Sequence, residues 1–277
     1  MKYQIIVDSC VDFNEEVLDS SQITRIPFKI LIDNEELVDE GLNRDELIEK
    51  MKASKGKIST ACPSVHDYLQ AFQACAVNYV VTISSGLSGS YQSAVAAKQL
   101  LEESKFPNVV HIIDSKSASA GQTLVVLKLK QLLEQQLESN QVVQKVLQFV
   151  AHMDTLFILN SMNNLEKNGR ISGIQAMLSK VLKIIPIMGA TKEGTIELKA
   201  KTRGEKQALE KLVEMIKQGA LEKKDAIFAI THVNAAEKAA MVQEKVKALK
   251  AFQDVVVFQA AGLSTVYADE GGLVFAF

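Results

Sequence analysis

The sequence VNYVVTISSGLSGS, residues 77–90, contains the pattern that decides the fold. Its first half, Val77 to Ile83, is mostly apolar and rich in β-branched residues, which is typical of a buried strand. Its second half is a turn of serines and glycines, and a helical pattern follows it. A buried strand, a short polar turn and a helix in this order are characteristic of a parallel sheet covered by helices.

The same order occurs twice more along the chain. Apolar runs at Tyr3–Val7 and Val109–Ile113 each lead into a hydroxyl-rich turn, DSCVD at 8–12 and DSKSASAG at 114–121. After the third turn, Leu124 to Leu137 has apolar residues at three- and four-residue spacing, which indicates an amphipathic helix. The repetition predicts a mostly parallel sheet with helices on both faces, and it places the three turns at the carboxyl edge of that sheet.

A second α/β unit begins near residue 155, which predicts two domains, residues 1–155 and 156–277. Within this unit, Pro186 is expected to end a helix, because proline cannot continue one. The predicted elements, in chain order, are a strand at 155–159, a short helix at 163–170, a helix at 174–182, a hairpin at 186–200, a helix at 204–218, and strands at 226–232, 255–259 and 273–277.

The composition excludes several classes of protein. The chain carries 31 basic and 33 acidic residues without a basic block, so a nucleic-acid partner is not expected. Its 3 cysteines have no paired or zinc-type spacing, which fits a reducing compartment. We find no secretory signal and no apolar stretch of about 20 residues. These features predict a soluble, cytoplasmic protein.

The second of the three turns has the composition of an anion-binding cradle. Gly86 and Gly89 allow close approach of the backbone to a ligand, and Ser85 and Ser88 supply hydroxyl donors. Free amides at the start of the next helix favour a carboxylate or a phosphate. Ser117 adds a hydroxyl in the third turn at the same edge. The alternative is that the serines only cap the helix.

Catalytic interpretations are weaker. The turn approaches the nucleophile elbow of ester hydrolases with Ser88 as nucleophile, but serine stands where the last glycine is needed. His232 is the only reasonable candidate base, and a structural histidine is the simpler interpretation. Asp8 and Asp114 lack a third metal ligand, and capping of the adjacent turns explains them better. No dinucleotide-binding or phosphate-loop motif is present, so we expect no cofactor, no metal and no catalytic residue.

Several segments resemble the DegV family of bacterial proteins, and together they cover essentially the whole chain. They occur in the order in which that family has them, which makes a chance match improbable. The segments are DSCVD (8–12), TACPS (60–64), SSGLSGSYQSA (84–94), DSKS (114–117), LEKNGRI (165–171), IPI (185–187) and RGEKQA (203–208).

The resemblance implies a two-domain α/β fold with a long-chain fatty acid between the domains, its acyl chain in an apolar tunnel. Family members are the binding subunits of a bacterial fatty acid kinase, and they present the acid to a separate ATP-using subunit that makes acyl phosphate for phospholipid synthesis. By motif, Thr60 and Ser88 would hold the carboxylate, with the Gly89 amide nearby. Arg170 matches the family arginine near the exposed head of the ligand, which matters for work with the kinase. The implied role is that of a carrier rather than an enzyme.

The sequence departs from the family pattern near the carboxyl terminus. Tyr267 occupies the position of a family histidine, Asp269 and Glu270 replace the glycine and proline of the turn that follows, and Ile185 stands where lysine is common. These changes remove polar or positive groups and add negative charge near the expected carboxylate. They bear more on the kinase partnership than on binding of the ligand.

The residues expected to bind the ligand are Thr60, Ser85, Ser88, Gly89, Ser117, Arg170 and Tyr267. Phe72, Phe157, Met162, Met177 and Met188 are candidates for the tunnel lining, although a core position is the simpler interpretation of each. Two alternatives remain open at this point: a serine-dependent ester hydrolase that uses Ser88, and a lipid-sensing adaptor that works without a kinase.

Overall fold

The computed structural model describes residues 3–12, 23–171, 184–220 and 226–277. Its strands are β1 (Tyr3–Asp8), β2 (Ile23–Ile26), β3 (Lys29–Ile32), β4 (Glu35–Val38), β5 (Ser59–Ala61), β6 (Val77–Thr82), β7 (Val109–Asp114), β8 (Thr155–Ile158), β9 (Ile184–Ala190), β10 (Ile196–Arg203), β11 (Ile227–His232), β12 (Asp254–Gln259) and β13 (Leu273–Ala276). Its helices are α1 (Arg44–Ala53), α2 (Val65–Phe72), α3 (Ser90–Glu103), α4 (Ala120–Glu134), α5 (Ser139–His152), α6 (Asn163–Lys167), α7 (Glu205–Gly219), α8 (Ala236–Ala248) and α9 (Gly262–Ala268).

The first sheet has the strand order β2-β1-β6-β7, and every neighbouring pair in it is parallel. Side chains alternate between its two faces, as the period of a strand requires. Ile5 and Val7 pack against α4 and α5 on one face, whereas Ile6 and Val80 pack against α2 and α3 on the other. The predicted parallel sheet with helices on both faces is therefore confirmed.

The second sheet has six strands in the order β10-β9-β8-β13-β11-β12. Only β11 and β12 are parallel neighbours, and the other pairs are antiparallel. Helices α7 and α8 cover one face, where Leu212 and Val242 pack with Phe228. The predicted hairpin is present as the antiparallel pair β9 and β10, joined by a turn in which Gly194 has φ +81°.

Helix α4 packs against both of these sheets. Val125 and Leu129 belong to the apolar core of the first sheet, whereas Ala120 and Leu124 pack with Ala229 of the second sheet. Both sides of the helix are buried as a result, which fits the absence of charged side chains from its first eight residues, Ala120 to Leu127. The start of α4 is thus fixed between the two sheets.

A small third sheet, with the strand order β4-β3-β5, is antiparallel throughout. It packs against α1 and α9 through Ile30, Leu47 and Val266. Thr60 lies opposite Ile30 in this sheet, so the sheet determines where the Thr60 hydroxyl sits.

The chain contains elements that the sequence patterns did not predict. Strands β2 to β5 have only three or four residues each, which is too short for alternation to be recognised. Helices α1, α5 and α9 were also missed. The helix expected over Leu124 to Leu137 begins earlier, at Ala120, and ends at Glu134, after which α5 starts at Ser139.

Pro186 lies inside β9 opposite Lys201 of β10, as the predicted hairpin requires, and β9 begins two residues before the predicted start of that hairpin, at Ile184. A proline fits a strand where no partner needs its missing N–H. Strand β8 pairs with β9 only at Met188 and Gly189, so no hydrogen bond from β8 requires an N–H at Pro186. The helix predicted at 174–182 falls outside the described residues.

Candidate functional site

A cavity of about 850 Å³, counting its open mouth, lies where the turns of the first sheet meet the second sheet and α9. Most of the lining is apolar, and it comes from elements far apart in the sequence. The larger apolar side chains in the walls include Phe28, Ile83, Leu87, Phe157, Leu159 and Leu165.

Two hydroxyl groups of the cavity wall, which come from distant segments of the chain, form a hydrogen bond with each other. The Thr60 Oγ1 atom lies 2.8 Å from the Tyr267 hydroxyl oxygen, and the two groups share a hydrogen bond. Thr60 is held by β5 and Tyr267 by α9, and both line the cavity. One of the two hydroxyl hydrogens is used in this bond, so the other remains available to an acceptor in the cavity.

Arg170 brings a positive charge to the same part of the wall. Its guanidinium carbon lies 5.5 Å from the centre of the Tyr267 ring, which is within the range of a cation–π contact. Its Nε donates to the Leu87 carbonyl at 3.2 Å and its Nη1 to the Asn168 carbonyl at 2.6 Å. In the described part of the chain, no carboxylate forms an ion pair with this guanidinium. The charge is therefore held in place by backbone acceptors and has no carboxylate partner among the residues that the structure describes.

The serine-rich turn before α3 does not follow the simple capping alternative. The N-cap of α3 is Gly89, which has no side chain, and the Ser88 hydroxyl accepts only the Ser90 amide, at 3.3 Å. Among the described residues, no hydrogen bond is found for the Gly89 amide. Ser88 lines the cavity, so this turn presents both a hydroxyl and a helix start at the wall. A carboxylate is well suited to such a position.

A buried carboxyl group holds the turns of the first sheet together. Asp8 accepts hydrogen bonds from the Ile83 amide (2.9 Å), Ser90 Oγ (2.6 Å) and Gln122 Nε2 (2.9 Å). Burial raises the pKa of Asp8, and these hydrogen bonds oppose the rise. One side chain thus links the ends of β1 and β6 to the starts of α3 and α4.

Asp114 has a similar role in the third turn. Its Oδ1 accepts from the amides of Ser85 (3.2 Å) and Lys116 (3.0 Å), and its Oδ2 pairs with Lys116 Nζ at 2.9 Å. Both aspartates therefore serve as acceptors for turn amides, as the capping interpretation predicts. In the described residues, no group of three or more ligating side chains is arranged to hold a metal ion.

The seven predicted ligand-binding residues do not all reach the cavity. Five of them line it: Thr60, Ser88, Ser117, Arg170 and Tyr267. Ser117 shares a buried hydrogen bond of 2.7 Å with Thr155 Oγ1. Ser85 and Gly89 are outside the lining. The Ser85 hydroxyl accepts from Lys116 Nζ at 3.3 Å, whereas Gly89 adjoins Ser88 and packs close to Cys62.

Several lining residues carried no signal in the sequence. Phe28, Leu263 and Ser264 line the cavity, and none of them belongs to a motif. The run GLSTVYA over α9 is free of charged residues, which is typical of a buried helix. With only 7 residues, however, it is too short for a helical periodicity of apolar residues to be recognised. Among the residues proposed for the tunnel, Phe157 lines the cavity, whereas Phe72, Met162 and Met188 are not among its lining residues and Met177 falls outside the described residues.

The acidic turn after Tyr267 is neutralised locally. Glu270 forms an ion pair with Lys52 of α1 at 2.5 Å, and Asp269 Oδ1 accepts the Glu270 amide at 2.8 Å. Neither residue lines the cavity. The charge of Glu270 is therefore paired with Lys52 of α1.

The hydrolase alternative lacks a base. No histidine belongs to the residues that line the cavity. The His232 Nδ1 atom accepts the Ala235 amide at 3.3 Å, and burial is the main cause that lowers the pKa of His232, with Arg44 a smaller one. Within the described residues, Ser88 has no histidine as a hydrogen-bond partner.

None of the helices over the described residues is long and apolar enough to pass through a lipid bilayer.

Comparison with known proteins places this site in a family context. The family model described as "Uncharacterised protein, DegV family" matches residues 2–277. A DegV domain-containing protein of Streptococcus gordonii is 34% identical over 281 residues, which cover 100% of this chain and 99% of that protein. A DegV domain-containing protein of Streptococcus pneumoniae is 31% identical over 281 residues, with the same coverage.

Solved structures agree with these matches over nearly the full length. A DegV family protein of Ruminococcus gnavus, refined with vaccenic acid, has a TM-score of 0.95 and 36% identity over 99% of each chain. A DegV family protein of Eubacterium eligens loaded with heptadecanoic acid has a TM-score of 0.90 and 30% identity, also over 99% of each chain. The Streptococcus pneumoniae Fatty Acid Kinase (Fak) B3 protein loaded with linoleic acid has a TM-score of 0.92 and 30% identity over 100% of this chain and 99% of that one. This chain belongs to the DegV family.

Proposed function

We propose that the cavity binds one long-chain fatty acid, with the acyl chain between the apolar walls and the carboxylate at Thr60, Ser88 and Tyr267. The observation that carries the proposal is the combination of an apolar cavity with a fixed set of hydroxyl donors beside the charge of Arg170. Three relatives of the same fold, named above, hold fatty acids in their crystals, which supports the same ligand class here.

The energetics favour such a ligand. Burial of an acyl chain contributes about 0.8 kcal/mol per methylene, so the walls supply most of the affinity. A carboxylate that leaves water must be hydrogen-bonded or paired. The free hydrogen of the Thr60–Tyr267 pair, the Ser88 hydroxyl and the Gly89 amide supply donors for that purpose. Ser85 and Ser117 support this arrangement through the turns that they stabilise.

Arg170 is proposed to act at the mouth of the site. Two of its five N–H donors are used by backbone carbonyls, and the remaining donors keep the charge available to the ligand head or to a partner. A fixed guanidinium at this point suits the transfer of a phosphoryl group by a second protein, because it offsets negative charge that develops on the head group.

The proposed role is that of a carrier. The chain would present its bound acid to a separate ATP-dependent fatty acid kinase subunit in the cytoplasm, and would supply neither a cofactor nor a catalytic residue. The likeness to a protein named as a fatty acid kinase component supports this part of the proposal. Glu270 is paired with Lys52 of α1, and neither Asp269 nor Glu270 is among the lining residues of the cavity, which is compatible with this role.

The test begins with the protein as purified. Mass spectrometry of the denatured protein should reveal a co-purified fatty acid, and protein stripped of lipid should take up one equivalent of added oleic acid. Absence of an acyl chain from the purified protein, together with no uptake of oleic acid, would contradict the proposal. A fluorophosphonate probe that fails to label Ser88 would separate the carrier from a hydrolase.

A further inference from the structure

A second set of hydroxyls lines the cavity, on Ser119 and Ser264. Ser119 is the residue before α4, and Ser264 lies in α9. Both residues are almost entirely buried, with exposed fractions of 4% and 6%, yet both line the cavity wall. These two side chains add hydroxyl groups to a cavity whose lining is mostly apolar.

Both hydroxyls surround the carboxyl group of Asp12, which lies behind the wall. Ser119 Oγ donates to Asp12 Oδ2 at 2.5 Å, and the Ala261 amide donates to Asp12 Oδ1 at 2.8 Å. The Ser264 hydroxyl is near enough to favour the charged form of Asp12, but its oxygen makes no hydrogen bond of normal geometry with any described residue. Ser264 is therefore a buried polar group with unused bonding capacity that faces the cavity.

A ligand atom can use this capacity. A buried hydroxyl without a partner is unfavourable, and a plain alkyl chain does not relieve it. An oxygen substituent on the chain does relieve it, because the Ser264 O–H can donate to that oxygen. The Ser119 oxygen, whose hydrogen is taken by Asp12, can accept from a ligand hydroxyl. Together the two serines offer one donor and one acceptor, which is the complement of a hydroxyl group.

The position of this subsite follows from α9. Ser264 precedes Tyr267 by three residues, so the two side chains share a face and lie roughly 4.5 Å apart along the helix axis. Tyr267 marks the carboxylate end in the proposed function, on which this inference rests. We propose that the cavity prefers fatty acids that carry a hydroxyl or oxo group on one of the first few carbons after the carboxylate.

The test compares matched acids on lipid-stripped protein by titration calorimetry. Hexadecanoic acid, 3-hydroxyhexadecanoic acid and 12-hydroxyhexadecanoic acid differ only in the presence and place of one hydroxyl. The 3-hydroxy acid is expected to bind about tenfold more tightly than the plain acid, because it satisfies the Ser264 hydroxyl. The 12-hydroxy acid is expected to show no such gain. Ser264→Ala should bring the 3-hydroxy and plain acids to the same affinity.

Thr265→Val is the matched control. Thr265 neighbours Ser264 in α9, and its hydroxyl is also buried without a hydrogen-bond partner among the described residues, but it does not line the cavity. This variant should keep the preference for the 3-hydroxy acid. Equal binding of the plain and 3-hydroxy acids by the unmodified protein, or a preference that survives Ser264→Ala, would overturn the inference. Failure of all three acids to bind would instead overturn the proposed function.

Discussion

The hydrogen bond between Thr60 and Tyr267 joins residues that are 207 positions apart in the chain. Neither side chain carries a charge, and the pair offers one free hydrogen to the cavity whichever oxygen donates within the pair. A tyrosine at the family's histidine position thus keeps a donor at the head group, and its ring also supports Arg170. Under the proposed function, this departure from the family pattern would keep a hydrogen-bond donor for the carboxylate.

Thr60→Ala should weaken binding of a long-chain fatty acid by about 1–3 kcal/mol, because a charged acceptor loses a donor. Titration of lipid-stripped protein with oleic acid measures this change. Thr60→Ser is the matched control, since it retains the hydroxyl, and it should bind nearly as well as the unmodified protein. An equal loss in both variants would show that the hydroxyl is not the reason for the effect.

Arg170→Ala should reduce acyl phosphate formation by a fatty acid kinase subunit more than it reduces fatty acid binding. The reason is that the acyl chain is expected to supply most of the affinity, whereas the fixed charge is proposed to act where the phosphoryl group would arrive. Binding and product formation are measured on the same preparation. Complete loss of fatty acid loading in this variant would contradict the assigned role.

The β9–β10 hairpin is the element that closes one side of the site. Ser84 Oγ donates to the Gly194 carbonyl at 2.7 Å, and Gly86 packs against the same carbonyl and against Thr195. Glycine is needed at both contacts because a side chain would meet backbone or buried atoms. The hairpin and the serine-rich turn therefore position each other.

Gly194→Ala should destabilise the protein by about 1–3 kcal/mol and weaken fatty acid binding. Gly194 has φ +81°, and an added Cβ would collide with Ser84 Oγ and the Lys116 backbone. Gly41→Ala is the control, because Gly41 has φ +63° but open space around the added Cβ. Urea denaturation should show a larger loss for Gly194→Ala. Equal losses would mean that only backbone strain matters.

At the scale of the molecule, the strand–turn–helix order of the first sheet could be predicted from the sequence, because its runs are long and repeated. Motif resemblance also identified five residues that line the cavity. The third sheet could not be predicted, because strands as short as β5 contain too few residues to show an alternation of apolar and polar side chains. The contacts of Ser264 with the cavity and of Glu270 with Lys52 depend on packing between distant segments, which no local pattern records.

Buried carboxyl groups should make the stability of the whole protein depend on pH. Burial raises the pKa of Asp8, Asp12 and Asp39 above the usual 3.8. A raised folded-state pKa means that the folded protein binds more protons, so the free energy of unfolding falls as the pH rises from 3.8 through the raised values. At pH values above the raised pKa values, the free energy of unfolding has lost the whole of this contribution.

Asp12→Asn isolates one of these contributions. The free energy of unfolding of the unmodified protein, minus that of the variant, should decrease between pH 4 and pH 7, as measured by urea denaturation. Other titrating groups, including His111 and His232, affect both proteins alike and cancel in the difference. A difference that increases with pH would show that the carboxyl group is stabilised in its charged form.

Removal of the ligand should lower the stability of the whole molecule. A ligand that binds only the folded state adds about 2.7 kcal/mol when its concentration is one hundred times its dissociation constant. The melting temperature should therefore fall after lipid stripping and return on addition of oleic acid. The return should be smaller for Thr60→Ala at the same concentration of acid, and an unchanged melting temperature would contradict binding to the folded state.

Helix α4 belongs to two cores at once, since Leu129 is buried with the first sheet and Leu124 with the second. A fragment that began after this helix would leave Ala229, Val256 and Phe258 exposed to water. Such an exposed apolar surface favours aggregation. We therefore expect the two predicted domains, residues 1–155 and 156–277, to fold together and not as independent units. Scanning calorimetry should record a single cooperative transition, and attempts to express residues 156–277 alone should yield aggregated material.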